Sequence, residues 1–232
     1  DCETKSGKNE DALEDFQRII ALPPSDYTVK ALSAAAGMLY QQKKYTEALD
    51  YYTKLESSST DRTLRSEALT GQMRCNYKLN NYGLAAQAAQ RLQSGVDLSI
   101  ALIAESNLVM GVSALKLDNL PLARKSLEKA MADQGATGAE ATYSMAFIEF
   151  QQQKYKEAEK LVMTLQNSYA SYDYWVAKGF ILLADVYIKS DNLFQAKNTL
   201  QSIIDNYKGE DDILQIAKEK LATIEAVKTT TK

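Results

Sequence analysis

The sequence predicts an all-α fold of helical hairpins stacked side by side, and three observations predict it. A tyrosine or leucine followed three residues later by alanine recurs as Tyr45/Ala48, Tyr82/Ala85, Leu120/Ala123, Tyr155/Ala158 and Leu193/Ala196. The alanines from Ala12 to Ala196 stand 36, 37, 38, 35 and 38 residues apart. A fixed period of that size means one small unit repeated, with each unit burying its apolar side only against its neighbours. Finally, 10 Gly and 3 Pro in 232 residues leave few obligatory breaks, which suits long helices.

Each period divides into two amphipathic helices. A partial unit over 1–24 is closed by Pro23-Pro24, since neither residue continues a helix. In the unit at 27–60, Leu32, Ala35, Ala36, Leu39 and Tyr40 share one face at three- and four-residue spacing. The polar run Gln41-Gln42-Lys43-Lys44 turns the chain, and Tyr45, Ala48, Leu49, Tyr52 and Leu55 mark the second helix. Ser57-Ser58-Ser59-Thr60-Asp61 ends it, with Asp61 or Thr63 placed to cap the next.

The unit at 62–96 carries helices expected over 64–78 and 82–93, and the unit at 98–133 over 98–116 and 120–133. Pro121 lies just inside its helix start, where a missing N–H costs nothing. The unit at 138–170 expects helices over 138–152 and 155–168, preceded by Gly135-Ala136-Thr137-Gly138 as a flexible join. The unit at 173–208 expects 173–189 and 193–207. A last helix, 211–226, has no partner: Ile213, Ile216, Ala217, Leu221 and Ile224 face one way and Lys218, Glu219 and Lys220 another, as in a capping helix. Residues 1–226 are expected as one domain and 227–232 as a disordered tail.

Composition narrows the function. A formal net charge of −3 without a basic stripe argues against nucleic acid, whose phosphates require displaced counterions. No apolar run approaches the roughly 20 residues that cross a bilayer, so no direct membrane insertion is expected. The chain opens at Asp1 without Met, inside what reads as a repeat, so a mature fragment or a trimmed chain is expected. Cys2 and Cys75 lie about two repeats apart. Helical layers about 10 Å apart and the roughly 7 Å Cα reach of a disulfide argue against a bridge, and Cys75 is expected as a small core residue.

These residues resemble the tetratricopeptide repeat, whose pattern is a small residue in helix A, an aromatic near the turn and an alanine in helix B. Gly111-x8-Leu120-x2-Ala123-x3-Leu127-x2-Ala130 follows it, as do Ala184-x2-Tyr187-x5-Leu193-x2-Ala196-x3-Leu200, and Ala36 with Tyr45, Ala48, Tyr52 and Leu55. The unit at 62–96 departs, with Met73 and Asn76 at positions usually small and aromatic, and most units lack the terminal proline. The resemblance implies a right-handed α-α superhelix of such hairpins with a C-terminal capping helix. Periods above the family's roughly 34 residues resemble the longer-linker repeat proteins of bacterial envelopes. Ile203-Ile204-Asp205-Asn206-Tyr207 and Arg18-Ile19-Ile20-Ala21-Leu22-Pro23 have the same flavour. That likeness implies a periplasmic or outer-membrane-associated protein.

No catalytic, cofactor or metal site is expected. The absence of His removes the commonest general base, the usual zinc ligand and every Ser–His or Cys–His dyad. Glu10, Asp11, Glu14, Asp15 and Glu210, Asp211, Asp212 read as solvated helix starts near positive dipole ends rather than as acid/base pairs.

By the resemblance, helix A residues line a partner groove, and a protein or peptide is the expected partner. The family's carboxylate clamp needs Lys and Asn at two positions per repeat. The matching pairs, Ser33/Gly37, Thr70/Arg74, Leu108/Val112, Tyr143/Phe147 and Ile181/Asp185, do not supply it. The later groove is apolar instead: Leu108, Val112, Leu115, Tyr143, Phe147, Phe150, Ile181 and Ile188. One reading is a site for an apolar or amphipathic helix; the other is that tight curvature buries these residues as core. A second cluster, Tyr169, Tyr172, Tyr174 and Trp175, reads either as a glycan or peptide platform or as a wedge between repeats with hydroxyls in water. The functional expectation is a non-catalytic protein–protein scaffold. The alternatives are the architectural or regulatory arm of a larger envelope enzyme or assembly complex, and a glycan-binding module.

Overall fold

The computed structural model describes residues 2–95 and 98–230, with side chains described over 10–95 and 98–226. Among the described residues there are twelve helices and no strand. They are α1 (Cys2–Ile20), α2 (Asp26–Gln41), α3 (Tyr45–Ser58), α4 (Arg62–Lys78), α5 (Tyr82–Gln93) and α6 (Ile100–Lys116). Then follow α7 (Leu120–Ala130), α8 (Ala136–Gln151), α9 (Tyr155–Ser168), α10 (Asp173–Lys189), α11 (Leu193–Asn206) and α12 (Ile213–Thr230). The fold class is all-α, as the periodicity requires. Asp1, the side chain of Cys2, residues 96–97 at the end of the unit expected over 62–96, and residues 231–232 of the expected tail lie outside the described residues and side chains, whereas 227–230 of that tail continue α12.

The helices fall into two compact units, Asp1–Ala123 and Arg124–Lys232, with the division inside α7. In the first, α1 to α6 pack in chain order, and α4 also touches α2 and α6. In the second, α8 to α12 pack in chain order, and α10 also touches α8 and α12. The even-numbered helices in each unit therefore form a row that packs on itself, while no comparable backbone approach joins α3 to α5, which the Arg91–Glu56 ion pair links, or α9 to α11.

The repeated alanines explain the closeness of each hairpin. Ala48, Ala85, Ala123, Ala158 and Ala196 are all fully buried. Twelve residues before four of them stand Ala36, Met73, Ala146 and Ala184, buried likewise. A single methyl on one or both helices lets the backbones approach. Met73 is the large exception, and it packs against Ala85, Ala88 and Ala89, so the extra alanines of α5 make room for it. Asn76, the other departure, is buried with its amide donating to the Gln72 carbonyl at 2.9 Å, and its Oδ1 accepts from Asn81 Nδ2 at 3.3 Å.

Helix starts follow the local chemistry. Asp61 Oδ1 accepts the Leu64 N–H at 2.9 Å and Ser99 Oγ accepts the Leu102 N–H at 3.2 Å, each satisfying an orphan donor of the first turn. The stretch 135–138 differs from expectation. It is not a flexible join: α8 begins at Ala136, and the Asp133 carboxylate accepts the N–H groups of Gly135 at 2.8 Å and Gly138 at 3.3 Å. Gly138 is required there, because a Cβ would overlap the Asp133 backbone carbonyl.

Helix α12 covers the last hairpin. Ile213, Ala217 and Ile224 are buried against Ala184, Ala196, Leu200 and Ile203. Lys218 and Glu219 are exposed, whereas Lys220 turns inward and its Nζ lies 2.6 Å from Asp185 Oδ1 on α10. Cys75 is a core residue with no exposure, and burial pushes its thiol up to about 11.

Candidate functional site

The row of even-numbered helices presents the side chains that the sequence marks as a groove. In the unit Asp1–Ala123, neighbouring members of the row are tied by polar pairs. Ser33 Oγ on α2 donates to Glu67 Oε1 on α4 at 2.5 Å. Arg74 on α4 grips Glu105 on α6 with two hydrogen bonds of 2.6 Å, the fork-on-carboxylate geometry that fixes both orientation and distance. The Glu105 carboxylate raises the Arg74 pKa, so the guanidinium stays charged. Farther along α6, Leu108 and Val112 are buried and Leu115 is half-buried.

In the unit Arg124–Lys232 the row is aromatic. Tyr143, Phe147 and Phe150 follow at four- and three-residue spacing along α8, all half-buried. They pack against a core that includes Ala146, Val162, Leu182 and Val186. From α10, Ile181 is 8% exposed while Ile188 is half-buried. The same unit holds polar ties between helices: Asp185 with Lys220 at 2.6 Å, Tyr187 Oη donating to Glu159 at 2.8 Å, and Arg124 donating to Glu149 at 2.5 Å and to Gln152 at 2.8 Å. Glu149 is itself buried, and the Arg124 hydrogen bond holds its carboxyl below the usual range against the opposing effect of burial. Burial pushes the Tyr143 phenol up to about 12, with Tyr174 and Asp185 adding to the shift.

The structure adds a group that the sequence does not flag. Lys178 Nζ stands 5.0 Å from the Tyr143 ring centroid, 5.3 Å from that of Tyr174 and 5.1 Å from that of Trp175. It also donates to Tyr174 Oη at 3.3 Å. Three aromatic rings thus share one internal cation. The Tyr174–Lys178 spacing of four residues on one helix was the available signal; the Tyr143 contribution, from another helix, had none. Tyr169 behaves as a wedge: it is 3% exposed, and its hydroxyl is turned to backbone carbonyls. It lies 3.1 Å from the Met131 carbonyl and 2.9 Å from that of Asp133.

Chemically, this face offers rings, aliphatic side chains and paired charges. Among the described residues no group of three or more Cys, Asp or Glu is placed to hold a metal, and the chain has no His. Among the described residues no helix is long and apolar enough to cross a membrane.

Family profiles described as Tetratricopeptide repeat match residues 4–63 and 180–209. No curated protein matches. Among solved structures, BtubC (BKLC) from P. vanneervenii is 13% identical, with 90% of this chain and 94% of that chain covered at a TM-score of 0.62. YrrB, described as a TPR protein with an unusual peptide-binding site, is 16% identical over 90% and 98% of the two chains, with a TM-score of 0.58. A tetratricopeptide repeat protein from Parabacteroides merdae is 15% identical over 93% of each chain, also at 0.58. At such identities the likeness speaks for the fold.

Proposed function

Because the chain is a tetratricopeptide-repeat protein, we propose that it is a non-catalytic protein–protein interaction scaffold that docks an amphipathic helix of a partner. The docking face is Tyr143, Phe147, Phe150 and Ile188 in the unit Arg124–Lys232, with Ile181 buried beneath it; Leu108, Val112 and Leu115 belong to the other unit, the first two as core. One observation carries the reading. Tyr143, Phe147 and Phe150 form a row at helical spacing that is only half-buried, although α8 packs on both α9 and α10. A helix whose apolar stripe repeats at three and four residues would complete that burial.

The test selects helical peptides by display against the wild-type protein, then measures the same peptides on Phe147→Glu. The expected result is a loss of about ten-fold or more in affinity, with the thermal midpoint close to wild type. A Phe147→Glu protein that unfolds would make the row ordinary core and end the proposal. A catalytic role has no support from the side chains of this face. A glycan platform at Tyr172–Trp175 is disfavoured by Lys178, which takes the ring faces that a sugar would stack on.

A further inference from the structure

We propose that a basic pocket in the unit Asp1–Ala123 is a second binding site, taking an acidic side chain of a peptide segment through Arg62 and Arg65. The pocket holds about 330 Å3 between α4 and the end of α5. Arg62, Arg65, Ser66 and Leu69 line it from α4, and Arg91 and Leu92 from α5. None of these residues belongs to the apolar face, so the two sites stand or fall separately.

Charge pairing singles the pocket out. Of the six arginines in the chain, Arg18 pairs with Glu14 and Asp15, Arg74 with Glu105, Arg91 with Glu56 and Arg124 with Glu149. Among the described residues Arg62 and Arg65 have no carboxylate within ion-pair distance, and both line this pocket. The acidic residues nearest to them in the chain are already engaged. Glu56 takes Arg91 and also Gln72 Nε2 at 2.9 Å; Asp61 caps α4; Glu67 accepts from Ser33. Arg91 is thereby pinned and neutralised, which leaves two free guanidinium forks beside it.

The shape argues for a side chain on a peptide rather than a bare ion. The floor is apolar, with Leu92 fully buried and Leu69 9% exposed, so methylenes next to a carboxylate would lie on it. The guanidinium fork matches a carboxylate bidentately. The described lining of the pocket carries three arginines and no carboxylate, in a chain of net charge −3, and that local positive charge would steer an acidic segment there.

The test is fluorescence anisotropy with a fluorescein-labelled nonapeptide of alternating Glu and Leu, beside its Gln counterpart. The Glu peptide is expected to bind and the Gln peptide not to. Arg62→Gln and Arg65→Gln should each weaken binding about three- to five-fold, the double variant more. Arg18→Gln should leave it unchanged, and raising NaCl from about 50 to about 300 mM should weaken it steeply. Arg62 and Arg65 are exposed and unpaired, so the variants are expected to melt as wild type does. Equal binding of both peptides, binding indifferent to the Arg62 and Arg65 variants, or no binding of the Glu peptide overturns the proposal. So does displacement by inorganic phosphate beyond that by chloride of equal ionic strength, which would assign the pocket to a free oxyanion.

Discussion

Lys43, Asn80, Asp118, Gln153 and Asp191 hold φ values of 61, 60, 58, 60 and 56°, in the left-handed region. They recur 37, 38, 35 and 38 residues apart, in step with the alanines. Each ends the first helix of a hairpin. The next amide, on Lys44, Asn81, Asn119, Lys154 or Asn192, donates to a carbonyl five residues back at 2.8–2.9 Å. This is a left-handed helix cap without glycine. Asn and Asp tolerate it through short polar side chains, whereas Lys43 and Gln153 carry a cost of about 1–2 kcal/mol. Lys43→Gly and Gln153→Gly are therefore expected to stabilise the protein by about 0.5–1 kcal/mol each, read from urea unfolding. Asn80→Gly should gain less. The sequence showed a polar turn at these places, but the sign of φ was illegible because no glycine marks it.

Among the elements, α3 and α4 show how a residue that weakens a helix can hold two together. Gly71 lies inside α4, and a Cβ there would run into the Tyr52 ring of α3. Helix propensity alone favours Gly71→Ala by about 1 kcal/mol. Tyr52 is buried in the core with Leu39, Leu55 and Cys75, so its ring has little room to move. Overpacking of about 1–3 kcal/mol is expected to win. Gly71→Ala should lower the thermal midpoint, and a rise would mean that the ring yields freely. Element boundaries from the sequence were close where a polar turn separated two apolar periods, as at 155–168. They failed at Gly135–Gly138, where the Asp133 carboxylate starts α8 earlier than composition implies.

For the whole molecule, the buried thiol and phenols with raised pKa values shape how stability depends on alkaline pH. Burial moves Cys75 from an ordinary 9.0 to about 11, and Tyr52 and Tyr143 from 10.0 to about 12. Tyr187 also rises to about 12, by burial and its hydrogen bond to Glu159. The folded state keeps these protons while the unfolded chain releases them, so the contribution of these groups to stability is full below about pH 9 and is lost as pH rises through the window from 9 to 12. Unfolding midpoints measured at pH 8 and at about pH 10.5 are expected to show that loss. In Cys75→Ala the decline in the lower part of the window should be shallower, whatever the variant's starting stability. An equal slope would show that the thiol does not contribute.

The candidate face was legible residue by residue and illegible as a surface. The sequence named Tyr143, Phe147 and Phe150 because a three- and four-residue spacing is local information. It could not bring Lys178 to Tyr143, or Lys220 to Asp185, since those pairs join different helices. By itself the sequence determined the repeat, its period and its all-α character, because apolar spacing and small-residue placement act within a few turns of one chain. Only the tertiary structure decided how far each groove residue is exposed, which carboxylates are engaged and which arginines are left without one. Burial and charge pairing depend on what the neighbouring helix presents, and no spacing along a single helix records that.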